Sequence, residues 1–242
     1  MELLNLRSVF WLGFFGMILW AWWVMYSMAM DMGRAPMNMH DFGPLLIMWA
    51  IMMAAMMGPT FVPTLKTYED LMISANGTRA GWVGLILGYL GAWIGFAALI
   101  SAAQVVLIEL GLVTRMGRSM SGWFSFGLLL AAGLYQFTSL KERCLHHCRT
   151  PMMQFLAHWH PGFAGGVRMG LHHGMFCVAC CWGLMVIGFV GGTMDLIWMG
   201  GATVLMTLEK LPALGRWLTR PVGVALLLWA GYVGWQLTLG VA

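Results

Sequence analysis

Three of the five cysteines lie within five consecutive positions, next to a pair of histidines. The segment starts at His172 and reads HHGMFCVACC. If it is helical, successive side chains are about 100° apart, and His172 points away from the other ligands. One sector about 100° wide then holds His173, Cys177, Cys180 and Cys181. A single buried cysteine is usually a small apolar residue. Three cysteines aligned with a histidine predict metal or redox chemistry.

The other two cysteines lie in a second group, KERCLHHCR, which starts at Lys141. If the helix before them continues into the cytoplasm, Cys144, His147 and Cys148 share one face at positions i, i+3 and i+4. A disulfide is not expected in a reducing compartment. The segment therefore predicts a metal site at the cytoplasmic surface. Zinc competes with copper there, because two cysteines and a histidine are good zinc ligands.

Methionine is the third type of candidate ligand. The run MWAIMMAAMM starts at Met48 and forms two helical stripes, one of Met48, Met52 and Met56 and one of Met53 and Met57. Methionines four positions apart bring two thioethers close together. The neutral, soft thioether favours Cu(I) over harder cations. The alternative is that these side chains only fill the core, since methionine adapts readily to irregular gaps.

The loop before this helix repeats the pattern with Met30, Met32, Met37, Met39 and His40. Methionine on an exposed loop has no packing role, so the loop predicts capture of copper outside the membrane, with the histidine as a nitrogen ligand. The alternative is an interfacial segment that dips into lipid.

Polar residues at the ends of apolar runs are candidates for supporting roles. Tyr135 and Gln136 face neighbouring directions one turn before Lys141, which favours a shared cavity or hydrogen bonds between helices. Glu209 and Lys210 are adjacent, and we expect them to form a pair at a membrane boundary.

The elements that must position these ligands are membrane helices. The chain has 242 residues, of which 60% are hydrophobic and only 9% charged, and this composition excludes an ordinary soluble domain. A net charge of +4 gives no reason to expect a nucleic-acid partner. Five cysteines, an odd number, argue against a disulfide scaffold.

Runs of about 20 apolar residues predict an all-α, polytopic membrane helix bundle in the lipid bilayer, with residues 1–242 as a single domain. The seven predicted transmembrane helices are 9–28, 44–65, 82–108, 121–140, 169–191, 194–209 and 222–241.

The basic residues predict the orientation of this bundle. If seven spans alternate, Arg34, Arg115 and Arg118 lie on one side, and the other ten of the 13 Lys and Arg residues lie on the opposite side. The positive-inside rule then places the N-terminus inside and the C-terminus outside.

Glycine and proline predict two packing features. Gly84/Gly88 and Gly91/Gly95 form pairs one turn apart in the third span, a spacing that lets another helix approach closely. Pro59, with a second proline four residues later, predicts a kink with freed backbone carbonyls in the second span.

Three blocks of the sequence resemble a bacterial family of integral membrane proteins described as predicted metal-binding (domain of unknown function 2182). They are MWAIMMAAMMGP, GLYQFTSLKERCLHHCRTP and HHGMFCVACCWGLMVIGFVGGTMDLIW, and the similarity runs from about Met48 to Lys210. Ser139 departs from the family, where a proline is expected, and this blurs the end of the fourth span. The resemblance, together with the orientation, implies a location in the bacterial cytoplasmic (inner) membrane. The resemblance implies functional roles for Met52, Met53, Met56, Met57, Tyr135, Gln136, Lys141, Cys144, Cys148, Arg149, His173, Cys177, Cys180, Cys181 and Glu209.

Taken together, the ligands favour Cu(I) binding and handling by transport, relay or delivery, with sulfur ligands ordered from the outer loop to the cytoplasmic side. A periplasmic or membrane copper protein is the expected partner. Two alternatives stay open at this point. One is a membrane-embedded, copper-dependent oxidoreductase, and the other is a metal-stabilised assembly subunit of a membrane complex.

Overall fold

The computed structural model describes residues 2–31, 41–72, 74–193 and 195–240, and this part of the chain is helical without a β-strand. Side-chain caps set several helix starts. Thr78 accepts a hydrogen bond from the backbone N–H of Gly81, and Asp195 accepts one from that of Trp198. The all-α prediction is confirmed. The helices are α1 (Glu2–Asp31), α2 (Phe42–Leu71), α3 (Arg79–Glu109), α4 (Gly122–Tyr135), α5 (Ser139–Arg149), α6 (Pro151–Ala157), α7 (Gly162–Val186), α8 (Gly188–Gly191), α9 (Leu196–Lys210) and α10 (Gly215–Thr238).

The described helices include four candidate membrane spans, or five if the bent pair α4 and α5 forms one span. The expected count of about seven and the expected orientation are therefore not shown. Helix α9 has only 15 residues, about 22 Å of helix against about 30 Å of hydrocarbon. Helix α10 carries Arg216, Arg220 and Pro221 in its first two turns. The four spans are Arg7–Met30, Phe42–Leu71, Arg79–Glu109 and Gly162–Gly191.

The chain bends sharply where the sequence predicted one continuous helix. Helix α4 ends at Tyr135, and α5 starts after Thr138 at an angle of 64° to it. The Thr138 hydroxyl accepts a hydrogen bond from the backbone N–H of Lys141, 3.3 Å away, and so caps the new helix. Helix α5 packs against α7, and its Cys148 is buried. The bend thus turns the segment into the bundle. Its position at the cytoplasmic surface stays a prediction.

Helices α3 and α7 make the most extensive helix contact in the described chain. A Cβ atom on Gly84 or Gly88 would overlap backbone atoms of α7, and one on Gly170 would overlap the Leu85 carbonyl of α3. The predicted close approach at Gly84 and Gly88 is confirmed. Gly91 faces open space, as does Gly95, so the second predicted pair contacts no helix. The glycine contact fixes the helix that carries three of the cysteines.

Helix α2 continues through both of its prolines. Pro59 has no N–H to donate to the carbonyl of Ala55, one turn earlier. The indole Nε1 of Trp22 on α1 donates to that carbonyl instead, at 3.0 Å. The carbonyl that the proline frees thus binds a neighbouring helix.

Candidate metal centre

Three buried cysteine side chains from two helices meet in the core. Cys148 is near the end of α5, while Cys177 and Cys180 are one turn apart on α7. Their sulfur atoms all lie within 4.8 Å of one another, and those of Cys148 and Cys180 are 3.9 Å apart. All five cysteines are free thiols. The bend between α4 and α5 therefore brings together cysteines from two segments that were expected at different depths in the membrane.

The sulfur spacing suits a single metal ion. With metal–sulfur bonds of about 2.3 Å, three sulfurs in a plane around an ion lie about 4.0 Å apart, close to the 3.9 Å between Cys148 and Cys180. Within the described residues, this group contains no histidine and no carboxylate. An all-sulfur site suits a thiophilic ion such as Cu(I) or Zn²⁺.

The two remaining cysteines differ in their relation to this group. The sulfur of Cys181 is 3.4 Å from that of Cys180, so it borders the three thiols. Cys144 is also buried but is not a member of the group. The structure brings together three of the five predicted cysteine ligands and leaves a fourth beside them.

A buried lysine contacts the thiols. The ammonium of Lys210, at the end of α9, lies 2.8 Å from the sulfur of Cys177 and 2.8 Å from the hydroxyl of Thr60. The hydroxyl of Tyr89 is 3.0 Å from the same sulfur and 3.3 Å from Thr60. A buried charge needs a partner, and here the positive charge lies next to a potential thiolate ligand.

An ion pair attaches the helix of Cys148 to the helix of Lys210. The ammonium of Lys141 on α5 donates to Glu209 on α9 at 2.9 Å, and both side chains are fully buried. Arg149 adds a hydrogen bond from its Nε to the backbone carbonyl of Glu209, also at 2.9 Å. The expected boundary pair of Glu209 and Lys210 is wrong. Neighbouring side chains on a helix point about 100° apart, so these two reach different partners.

Lys210, Thr60 and Tyr89 are the site residues that sequence reasoning missed. Their partners come from α2, α3, α7 and α9, which are far apart in the sequence. The sequence did contain one signal for Lys210. Adjacent side chains on a helix do not face each other, so Glu209 and Lys210 need two separate partners. Thr60 gave no such signal.

The two histidines predicted as ligands contact other groups. The ring nitrogens of His173 lie 3.2 Å from the hydroxyl of Thr64 and 3.1 Å from the amide oxygen of Gln154. The ring of His147 packs on Phe176, with centroids 3.8 Å apart, and its Nε2 has no hydrogen-bond partner among the described residues. The structure groups neither histidine with the thiols, and it does not gather Cys144, His147 and Cys148. Metal binding by these residues stays a prediction.

The predicted methionines fall into two classes. The five on α2 are buried: Met48, Met52, Met53, Met56 and Met57. In the predicted outer capture group, Met30 is exposed at the end of α1, whereas Met32, Met37, Met39 and His40 lie outside the described residues.

The two polar residues before α5 differ in their contacts. The hydroxyl of Tyr135 donates to the backbone carbonyl of Ala179, between the cysteines of α7. Gln136 is buried, and its side-chain oxygen has no partner in the part of the chain that the structure describes. Of the two, Tyr135 directly contacts the helix that carries Cys177 and Cys180.

Comparison with known proteins identifies the family. The family model PpoB2, described as a copper chaperone, matches residues 46–233. This range covers most of the chain and includes the three thiols and Lys210, so the chain belongs to that family. The family carries a different name from the one that the sequence resemblance suggested, but both descriptions concern metal binding. No curated protein and no solved structure matches the chain.

Proposed function

We propose that this member of the copper chaperone family binds Cu(I) as cargo between Cys148, Cys177 and Cys180 and passes it to a partner copper protein. The observation that carries the proposal is the meeting of three buried, reduced sulfurs within 4.8 Å. Thiolate sulfur is the protein ligand best suited to Cu(I).

Lys210 has a direct role in this proposal. Cu(I) bound by three thiolates carries a net negative charge, which is costly inside a low-dielectric core. The ammonium of Lys210, 2.8 Å from the sulfur of Cys177, offsets part of that charge. Tyr89 and Thr60 hold the lysine and the sulfur in place through their hydroxyl groups.

Cys181 favours delivery over the two alternatives, an oxidoreductase and an assembly subunit. Its sulfur is 3.4 Å from Cys180, outside the group of three. A neighbouring free sulfur allows a bound ion to exchange one ligand for another without leaving the protein. Exchange of this kind is what a carrier needs, whereas a purely structural metal site is closed.

The proposed setting is the bacterial cytoplasmic membrane, with the N-terminus inside. We propose that α9 and α10 complete a bundle of about seven spans around the four or five candidates. Lys141, Arg149 and Lys210 are buried in the bundle and no longer count as loop charges. The other basic residues assigned to the inner side still outnumber Arg34, Arg115 and Arg118, which supports this orientation.

A competition titration tests the proposal. Reduced protein in lipid nanodiscs is titrated with Cu(I) against a chromophoric chelator, and the wild type is compared with Cys180→Ala and Cys144→Ala. Alanine suits both positions because a buried thiol packs as a small apolar group. We expect the loss of Cys180 to weaken Cu(I) binding at least about tenfold.

Cys144 provides the matched control, since it is a buried cysteine outside the group of three. Its replacement should leave the affinity close to that of the wild type. An equal loss of affinity in both variants, or no loss in either, would overturn the proposed site.

A further inference from the structure

A second cluster of soft ligands surrounds a small cavity between α2, α7 and α9. Four methionines line it: Met52 and Met56 from α2, Met185 from α7 and Met199 from α9. All four side chains are buried, and the cavity volume is about 20 Å³. The methionine run on α2 thus supplies only half of the cluster, and two helices distant in sequence supply the rest.

The size and lining of the cavity suit a single soft ion. A site for one water molecule needs roughly 10–15 Å³ of such volume and two to four polar partners. Here the hydroxyl of Thr193 donates to the carbonyl of Met116 at 3.0 Å, and the indole Nε1 of Trp49 donates to Gln104 at 2.7 Å. These two polar groups on the wall already have partners, whereas Cu(I) binds well to thioether sulfur.

Two tryptophans line the same cavity. Trp49 is fully buried, and its indole Nε1 donates to the amide oxygen of Gln104 at 2.7 Å, which fixes the ring. Trp198, on α9, also lines the cavity. Thioethers are neutral and leave the charge of Cu(I) uncompensated. An indole face attracts a cation and offsets part of that deficit.

We infer that Met52, Met56, Met185 and Met199 form a second Cu(I) site, distinct from the three thiols. Met185 follows Cys177 by two helical turns on α7, about 12 Å along the axis. On α2, Met56 lies one turn before Thr60. The ammonium of Lys210 contacts both the hydroxyl of Thr60 and the sulfur of Cys177. A neutral thioether site binds Cu(I) more weakly than a thiolate site, so the ion would move from the methionines to the cysteines. This direction rests on the proposed function, but the existence of the site does not.

The test measures how many Cu(I) ions bind. Reduced wild-type protein in nanodiscs is titrated with Cu(I), and the quenching of tryptophan fluorescence is recorded, since two indoles line the cavity. Met185→Leu/Met199→Leu conserves side-chain volume and should keep the fold. We expect this double variant to lose the second equivalent of Cu(I) and the fluorescence quenching that it causes, while the tighter first equivalent still binds.

Met56→Leu, a single change, should weaken binding of the second equivalent. Met206→Leu, a buried methionine of α9 away from the cavity, is the control and should match the wild type.

A cysteine-free variant, with alanine at all five cysteines, separates this inference from the proposed function. It should lose the tight equivalent and keep the weaker one. A second equivalent that survives in Met185→Leu/Met199→Leu, or a wild type that binds a single equivalent, would overturn the methionine site and leave the thiol site intact. If the cysteine-free variant keeps the tight equivalent, the proposed function fails and the methionine site stands.

Discussion

At the scale of single residues, the sequence identified the three cysteines that meet in the core but not what surrounds them. Helical spacing correctly placed Cys177 and Cys180 on one face, because both lie on one regular helix. It could not show that Cys148 joins them, since the sulfur contact of 3.9 Å connects different helices. Lys210 was expected to pair with its neighbour Glu209 and instead lies against a thiol. Side-chain partners across helices are set by packing, which local spacing does not encode.

Lys210→Met tests the role of the buried ammonium. The change keeps a long side chain but removes the charge next to Cys177, so Cu(I) bound to thiolates loses its compensating cation. We expect Cu(I) affinity to fall by about 10–100-fold, the range for groups that contact metal ligands. Chelator competition measures the change.

Lys66 offers a control, because it is an exposed lysine on α2. Lys66→Met should bind Cu(I) as the wild type does. Unchanged affinity in Lys210→Met would show that the lysine only fills space beside the thiols.

At the scale of helices, glycine spacing predicted a close contact but not its partner. Gly84 and Gly88 face the backbone of α7, whose own glycines complete the contact. The bend after α4 was missed. At the bend, Thr138 caps the start of α5, a local signal within a segment that otherwise resembles a continuous helix. These two features together bring Cys148 to Cys180.

Gly170→Ala tests the α3–α7 contact. An added methyl group would overlap the Leu85 carbonyl, so the helices must separate. Strain of this kind costs about 1–3 kcal/mol. We expect a lower thermal unfolding midpoint in detergent and weaker Cu(I) binding, because α7 carries two of the three thiols. Gly91→Ala is the matched control, since that position faces open space. Equal midpoints for the two variants would contradict a packing role for this contact.

At the scale of the whole molecule, composition and hydropathy were sufficient to predict an all-α chain with several helices long and apolar enough to span a membrane. They were not sufficient for the number of spans, because α9 is short and α10 begins with charged residues. The sequence placed the cysteine groups at different depths, whereas the fold brings one cysteine of the KERCLHHCR segment to two of the HHGMFCVACC segment. This meeting is a property of the tertiary structure, which the spacing along one helix does not encode.

The central claim is that three cysteines from two helices hold one Cu(I) ion. X-ray absorption at the copper edge tests it most directly, on reduced protein in nanodiscs with less Cu(I) than protein, so that only the tightest site fills. We expect three sulfur neighbours around copper in the wild type and a loss of sulfur scattering in Cys148→Ala. Nitrogen or oxygen neighbours in place of sulfur, or an unchanged spectrum in Cys148→Ala, would contradict it.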